Sequence, residues 1–207
     1  MGLLAKEEAP MRERKLITED MHHAVCIAVI ELGTVYNERY EKNNHEVMFT
    51  WELPEERIEM ERDGETVSMP MVTSQKYTIS LHEKANLRKA MESWLGRKLT
   101  FDELQGFDLK SMLNKNCMLQ IVHSTNANTG KTYANISTII PLIKNMEVKT
   151  PEHAPVYFTF EDCNELPDVP DWILERIKES QEFDTWKQYM NEGDAINAQK
   201  DDSDVPF

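Results

Sequence analysis

The last seven residues of the chain combine acidic and apolar groups in an order that suits recognition by another protein. Their sequence is Asp201-Asp202-Ser203-Asp204-Val205-Pro206-Phe207. A partner would need an apolar pocket for Phe207, with Lys or Arg at the rim of the pocket to pair with the carboxylates. The alternative is a solubilising acidic tail that happens to end in Phe. We predict a protein-interaction element made of Asp201, Asp202, Asp204, Val205, Pro206 and Phe207.

A second group of residues has the chemistry of single-strand nucleic-acid binding, which uses aromatic faces for bases and cations for phosphates. Residues 131–140 alternate as a strand does. One face carries Lys131, Tyr133, Asn135 and Ser137, and the other carries Ala134, Ile136 and Ile140. An aromatic ring beside a lysine on a polar face is typical of a base-stacking surface. Tyr is also common on solvated sheet faces for its β-propensity alone, so a structural role stays open.

Other aromatic and cationic residues extend this candidate interface. Tyr36, Arg39, Tyr40 and Lys42 cluster in a predicted loop, where exposed aromatics have little structural purpose. Trp51 alternates with polar residues on a strand, and a core position is the commoner outcome for such a residue. A phosphate track could be extended by a set of cations near a predicted helix, although each one alone is most simply a solvated charge: Lys76, Arg88, Lys89, Arg97 and Lys98. The predicted nucleic-acid contacts are Tyr36, Arg39, Tyr40, Lys42, Trp51, Lys76, Tyr77, Arg97, Lys98, Lys131, Tyr133 and Asn135.

The sequence contains no complete motif for catalysis or for binding a cofactor or metal. Gly130-Lys131-Thr132 is similar to the end of a phosphate-binding P-loop, but Thr125 stands where that motif requires glycine. The six histidines show no HExxH or paired ligand spacing, and no GxSxG motif is present. Three widely separated cysteines indicate neither a disulfide framework nor a zinc ribbon. We therefore expect a protein that is not an enzyme and that needs no metal or cofactor.

The elements that must position these residues are mainly strands. The apolar pattern predicts strands at 25–32, 46–52, 57–62, 65–69, 74–82, 117–123 and 131–140, with a further strand at 156–160. Leu53-Pro54 is expected to end a strand, and Asp63-Gly64 to form a tight hairpin. A barrel made of five or six of these strands, with one helix before the final hairpin, would be a Greek-key barrel of the OB (oligonucleotide/oligosaccharide-binding) type, which is the favoured fold. A β-sandwich is not excluded by this pattern.

Helices are predicted at three places. Leu87, Met91 and Trp94 recur at helical spacing, so residues 83–95 should form a helix that packs on the barrel and ends at Gly96. Thr100 and Glu103 have the spacing of a capping box. Pro170 opens an acidic helical stretch that extends to about residue 190.

Charge is distributed unevenly along the chain. The 207 residues have a formal net charge of −14, with 40% hydrophobic and 29% charged residues, which is a globular composition. Residues 151–207 carry a net −11, with fifteen acidic and four basic residues, whereas residues 84–150 carry a net +5, with ten basic and five acidic residues. Such segregation is typical of an interaction tail on a neutral-to-basic body.

These patterns predict four segments. We expect a disordered segment at 1–20, an OB-type domain at 21–166, an acidic helical extension at 167–190 and a disordered interaction tail at 191–207. The acidic extension would pack on the barrel, mediate dimers or space the tail from the domain. No apolar run reaches the length of a membrane span, and the first residues lack the pattern of a signal peptide. A cytoplasmic location with no membrane partner is the default expectation.

Two resemblances to known families agree with these predictions. The final seven residues resemble the acidic Pro-Phe tip of bacterial single-stranded DNA-binding proteins. The body resembles a family of bacteriophage single-stranded DNA-binding proteins over roughly residues 21–145. That resemblance lies in the stretches Lys76-Tyr77-Thr78-Ile79-Ser80-Leu81-His82, Leu95-Gly96-Arg97-Lys98, Leu104-Gln105-Gly106-Phe107-Asp108-Leu109 and Gly130-Lys131-Thr132-Tyr133-Ala134-Asn135-Ile136.

The resemblances imply a non-catalytic protein that coats single-stranded DNA, largely without sequence choice, during phage replication or recombination. They also imply that the tip recruits helicases, primases, nucleases or recombination mediators. The alternative is an acidic protein-binding module, such as a DNA mimic that occupies a nucleic-acid enzyme. A nuclease with scattered acidic ligands is a third reading, and self-association is left open.

Overall fold

The computed structural model describes residues 15–38, 41–62 and 64–190 of the chain. Arg39, Tyr40, Asp63 and the predicted tail at 191–207 lie outside the described residues. The elements in chain order are β1 (Met21–Asn37), β2 (Lys42–Arg62), β3 (Glu65–Thr78), α1 (Asn86–Leu95), α2 (Phe101–Gln105), a 3₁₀ turn (Leu109–Met112), β4 (Asn116–Thr125), β5 (Thr132–Pro141), β6 (Val156–Phe158) and α3 (Asp171–Lys178).

The strands form one sheet in the order β3-β2-β1-β4-β5, and β6 pairs with β1 off this path. All neighbours are antiparallel except β6, which runs parallel to β1. Within the described ranges β3 and β5 do not pair, so the strands do not complete a ring. The mainly β fold class is confirmed, and the open sheet with helices between β3 and β4 is compatible with an OB-like arrangement.

Strand β1 is buried on both faces of the sheet, and two bulges interrupt its register with β2. The irregularities lie between Cys26 and Ala28 and between Glu31 and Gly33. Each adds one unpaired residue and so shifts which side chains point to a given face. As a result Cys26 and Val29 lie in one hydrophobic cluster, the first core, whereas Ala28 and Ile30 lie in another, the second core.

The first core is built around aromatic side chains of β2 and α1. Phe49 stacks on Trp51 with ring centroids 5.8 Å apart, and Trp51 lies 5.5 Å from Trp94 of α1. Leu87, Met91 and Trp94 are all buried, so the predicted packing stripe of this helix is confirmed. Helix α1 begins three residues later than predicted, at Asn86, and its C-cap Gly96 has φ +66°. The predicted capping box between Thr100 and Glu103 is also confirmed.

The second core covers the opposite face of β1 and β2. It joins Ala28, Ile30, Leu32 and Met48 to apolar residues of the C-terminal cover, which we define as residues 156–190. Ile173 and Ile177 of α3 and Trp186 are its buried helical members. Residues 179–182 interrupt the predicted long helix, and residues 183–190 are helical again. The acidic extension was expected to pack on the barrel, mediate dimers or space the tail from the domain, and the structure shows that it packs on the sheet.

Several strand boundaries differ from the sequence-based expectation. Strands β1 and β2 extend into the predicted loop, since β1 ends at Asn37 and β2 begins at Lys42. Strand β2 does not end at Leu53-Pro54, because an irregularity between Leu53 and Arg57 accommodates the proline and pairing resumes at Arg57 with Pro70. Strand β3 is continuous, so the strands predicted at 65–69 and 74–82 are one element that ends at Thr78. The β2–β3 hairpin is therefore a long arm of the sheet.

Residues 15–20, which we expected to be disordered, lie against the sheet. Ile17 is buried in the first core. The ring nitrogen Nε2 of His123 donates to the Ile17 carbonyl at 2.7 Å, and Lys15 Nζ donates to the Arg57 carbonyl at 2.6 Å. The expectation of disorder is wrong for residues 15–20 because Ile17 packs into the first core. Residues 1–14 lie outside the described part of the chain.

Candidate nucleic-acid interface

The β4–β5 hairpin presents the predicted stacking residue to solvent. Tyr133 is 47% exposed and pairs across the hairpin with Ser124. Asn135 is also exposed, and its Nδ2 donates to Ser124 Oγ at 2.8 Å and to the Tyr133 carbonyl at 3.1 Å. Ala134 and Ile136 face the first core instead. The alternation of the strand therefore places one aromatic ring and one amide side by side on an open surface.

The alternation changes near the end of β5. An irregularity lies opposite the step from Gln120 to Ile121, which pair with Thr138 and Ile136 respectively. The extra residue on β5 shifts the phase by one, so Ile139 is buried in the first core where the sequence pattern predicted Ile140. Ser137 and Thr138 are consequently both exposed.

The loop that joins β4 to β5 is held by Asn126. Its backbone N–H donates to the Lys131 carbonyl at 2.9 Å, and its Oδ1 accepts from the N–H groups of Asn128 and Thr129. Gly130 takes φ +67°, a conformation that L side chains rarely adopt. This local bonding fixes where Lys131 enters β5. The Lys131 side chain is exposed and makes no ion pair with the residues that the structure describes.

Trp51 and Tyr77 are not available to a base, which corrects two predicted contacts. Trp51 is 0% exposed and Tyr77 is 7% exposed. Both lie in the first core beside Phe49, which contacts the Tyr77 ring edge to face at 6.0 Å. Burial also raises the pKa of the Tyr77 phenol well above its usual range. The side chains of β2 and β3 do alternate between two faces as predicted, but Trp51 and Tyr77 lie on the face that α1 covers.

Three of the predicted cations have carboxylate partners. Lys76 Nζ lies 3.0 Å from Glu46 Oε2, a carboxylate that Arg176 of the cover also approaches at 3.4 Å. Lys98 Nζ lies 2.6 Å from Glu92 Oε2. In both pairs the lysine is exposed and the carboxylate is largely buried. Each carboxylate also has an arginine partner, Arg176 for Glu46 and Arg88 for Glu92, so it keeps one cation if the lysine turns to a phosphate.

Arg97 makes the most geometrically specific of these pairs. Its two terminal nitrogens each lie 2.7 Å from one oxygen of Glu103. The Arg97 guanidinium and the Thr100 backbone N–H together lower the pKa of the Glu103 carboxyl to about 2. Arg97, which lies between α1 and α2, is thus held against Glu103 of α2 with half of its side chain exposed.

The predicted loop contacts lie at the other end of β1. Tyr36 is exposed and pairs with Asn43, and Lys42 is exposed and pairs with Asn37. Strand β4 pairs with β1 only from Met21 to Val25, so the β4–β5 hairpin extends beyond the opposite end of β1. The structure does not bring Tyr36 and Lys42 together with Tyr133. Arg39 and Tyr40, which complete the predicted loop cluster, are not among the described residues.

Three of the cations predicted to extend a phosphate track, Lys89, Arg97 and Lys98, lie together on α1 and the segment after it. Lys89, Glu92, Ser93, Arg97 and Lys98 line a shallow depression of about 440 Å³. The next exposed aromatic along the chain is Phe101, at the first position of α2, with 75% of its surface in solvent. The signal in the sequence was Arg97-Lys98-Leu99-Thr100-Phe101, two cations followed closely by an aromatic.

Comparisons with protein-family models, with curated proteins and with solved structures gave no match for this chain. Among the described residues, no group of three or more His, Cys, Asp or Glu side chains is placed to hold a metal ion. No helix within the described ranges has the length and apolar character needed to cross a membrane.

Proposed function

We propose that this protein binds single-stranded DNA without catalysis and largely without sequence choice. The observation that carries the proposal is the β4–β5 hairpin, on which Tyr133 offers an open aromatic face beside Lys131 and Asn135. In OB folds, nucleic acid lies across the sheet and the loops that flank it, including the loop between the fourth and fifth strands. Here Lys131 follows that loop directly and Tyr133 lies two residues further along β5.

The chemistry of this surface suits a flexible strand better than a duplex. A base of any identity has a flat face, so stacking on an exposed ring supplies about 1–3 kcal/mol per base with little sequence preference. Lys131 supplies a cation for the adjacent phosphate, and Asn135 supplies an amide for a base edge or a sugar. A paired base in a duplex has no free face to offer Tyr133.

The proposal extends to the biological setting that the two family resemblances imply. We place the protein in phage DNA replication or recombination, in the cytoplasm of the host cell. The segment Asp201, Asp202, Asp204, Val205, Pro206 and Phe207 would recruit a helicase, primase, nuclease or recombination mediator by inserting Phe207 into an apolar pocket with a basic rim. These residues lie outside the described part of the chain, and their sequence alone supports this role.

The proposal is tested by fluorescence anisotropy with labelled oligo-dT and with a duplex of equal length, at two salt concentrations. We expect the single strand to bind more tightly, with log K falling as log salt rises by about 0.7 for each phosphate contacted. Intrinsic fluorescence is a poorer probe, because Trp51, Trp94 and Trp186 are buried. A protein that binds neither ligand in 50 mM salt refutes the proposal.

A matched pair of tyrosine variants then tests the hairpin itself. Tyr133→Ala should weaken binding to oligo-dT about fivefold or more, since it removes one stacking face. Tyr189→Ala is the control, because Tyr189 is also exposed but lies on the C-terminal cover. Equal affinities for the two variants would show that Tyr133 is not a stacking residue.

One observation favours the second candidate, an acidic module that binds a nucleic-acid enzyme as a DNA mimic. The C-terminal cover carries nine acidic and three basic residues, and it packs on the sheet rather than extending away from it. Acid is therefore spread over part of the folded surface, as a mimic requires. Competition between this protein and duplex DNA for a host nuclease would support the mimic, and tight oligo-dT binding would exclude it as the main function.

A further inference from the structure

A net positive charge is found in one segment of the chain. Residues 15–83, which hold β1 to β3, contain fourteen acidic and six basic residues, for a net −8. The C-terminal cover has a net −6 by the count given above. Only residues 84–150, from the start of α1 to beyond β5, are cationic, at net +5. A polyanion is therefore attracted to the α1–β5 side of the molecule and repelled elsewhere.

The sheet face that an OB fold generally offers to nucleic acid is occupied in this protein. Ala28, Ile30 and Met48 on that face of β1 and β2 are buried by Ile173 and Ile177 of α3. The Glu182 carboxylate of the cover accepts two hydrogen bonds from Thr34, one from the Thr34 backbone N–H at 2.7 Å and one from the Thr34 hydroxyl at 2.5 Å. A strand of DNA on this face would have to displace a hydrophobic core and would meet an acidic surface.

A second surface, which the C-terminal cover leaves open to nucleic acid, runs along β5, an edge strand of the sheet. Tyr133, Asn135, Ser137 and Thr138 form an exposed row on this strand. The row ends beside α1, since Ser93 Oγ donates to the Ile139 carbonyl at 2.5 Å. Six residues of strand separate Tyr133 from Ile139, which is a path of about 20 Å.

The end of this row adjoins the cationic depression described above. Ser93 lines that depression together with Lys89, Arg97 and Lys98. Gly96 keeps the two elements close, because a Cβ at this position would lie 2.7 Å from Pro141 Cγ at the end of β5. The end of β5 that follows the exposed row therefore packs against the elements that carry the cations.

We propose that single-stranded nucleic acid follows β5 from Tyr133 to the α1 depression, where Lys89, Arg97 and Lys98 bind phosphates and Phe101 stacks a base. This inference rests on the proposed single-strand binding and specifies where the strand lies. It assigns a binding role to Phe101, which the sequence did not single out, and it places Lys89 of the predicted phosphate track at the end of the route. It also removes the β2–β3 face and Lys76 from the contact surface.

Phe101 and Lys89 are suitable for testing because neither supports the fold. Phe101 is largely exposed, and the Lys89 side chain has no hydrogen bond or ion pair with any described residue. Phe101→Ala should raise the Kd for oligo-dT about fivefold or more through loss of stacking. Lys89→Ala should lower the salt slope of binding by about 0.7 through loss of one phosphate contact.

Two variants on the cover are the matched controls. Trp172→Ala removes an exposed aromatic from α3, and Lys187→Ala removes an exposed cation from the following helical segment. Both should leave Kd and the salt slope unchanged. Ultraviolet cross-linking of bound oligo-dT, followed by mass spectrometry, should place adducts on Tyr133 and Phe101 and none on the cover.

The outcomes separate the route from the function. If the wild-type protein binds oligo-dT while Phe101→Ala and Lys89→Ala behave as wild type, the route along β5 is wrong and single-strand binding stands. The same conclusion follows if Lys76→Ala has the larger effect or if adducts fall on β2 and β3. If the wild-type protein does not bind oligo-dT at low salt, both the function and the route are overturned.

Discussion

Replacing Gly33 by alanine should destabilise the fold by detaching the C-terminal cover from β1. Gly33 lies at a bulge of β1 with φ +77°, and an added Cβ would lie 2.4 Å from Ser180 Cβ and 2.7 Å from Glu182 Oε2. Left-handed backbone costs an alanine about 1–2 kcal/mol. The overlap also pushes Glu182 away from Thr34, and hydrogen bonds to a charged group contribute roughly 1.5–3 kcal/mol. We expect a total loss of about 2–5 kcal/mol.

Urea unfolding followed by circular dichroism measures this loss, and Gly130→Ala separates its two causes. Gly130 has φ +67° with no atom within 4 Å of an added Cβ, so this control reports backbone strain alone. Ser180→Gly in the Gly33→Ala background removes the nearest obstructing atom and should recover at least about 1 kcal/mol as a coupling energy. Equal losses for Gly33→Ala and Gly130→Ala, with no recovery in the double variant, would refute the described docking of Ser180 on β1.

Three further predictions concern side chains that join distant segments of the fold. Glu182→Gln should flatten the loss of stability as the pH falls below about 4.5. Burial raises the pKa of the Glu182 carboxyl, but the bonds from Thr34 lower it more, so its pKa lies below the ordinary 4.5 and the wild type loses this stabilisation as the pH falls. Glu52→Gln should cost about 2–4 kcal/mol in urea unfolding, since buried Glu52 accepts from the N–H and Nδ1 of His153 at 2.8 and 2.7 Å. Ile177→Ala should cost about 2–5 kcal/mol in a single transition, and an unchanged urea midpoint would show that the cover unfolds separately.

Local sequence signals predicted the elements with strong periodicity. The stripe of Leu87, Met91 and Trp94 fixed the buried side of α1, and Gly96 marked its end. The alternation of β5 predicted that Tyr133 and Asn135 would be exposed, as they are. These positions depend on neighbours a few residues away, so a single sequence contains the information.

Other features depend on contacts between distant segments and were therefore not predictable from local pattern. Trp51 and Tyr133 both alternate with polar residues, yet α1 covers the first and leaves the second open. Gly33 is explained only by Ser180, which approaches it from 147 residues further along the chain. A bulge such as the one before Ile139 reverses a strand's faces without altering its composition.

The charge of the whole chain is a poor guide to its partner because electrostatic attraction in salt is local. At physiological ionic strength the screening length is about 8 Å. Helix α1 packs with the first core and α3 with the second, on opposite faces of the sheet. Two layer spacings of about 10 Å separate them, so acid on the cover acts weakly on a phosphate bound beside α1. A net charge of −14 is thus compatible with binding a polyanion on the cationic side.

The same reasoning requires that lowering the salt concentration, which lengthens the screening distance, adds repulsion from the cover to the attraction at β5. The salt dependence of oligo-dT binding should then flatten at low salt in the wild type, and less so when acids of the cover such as Glu175 and Glu179 are replaced by glutamine.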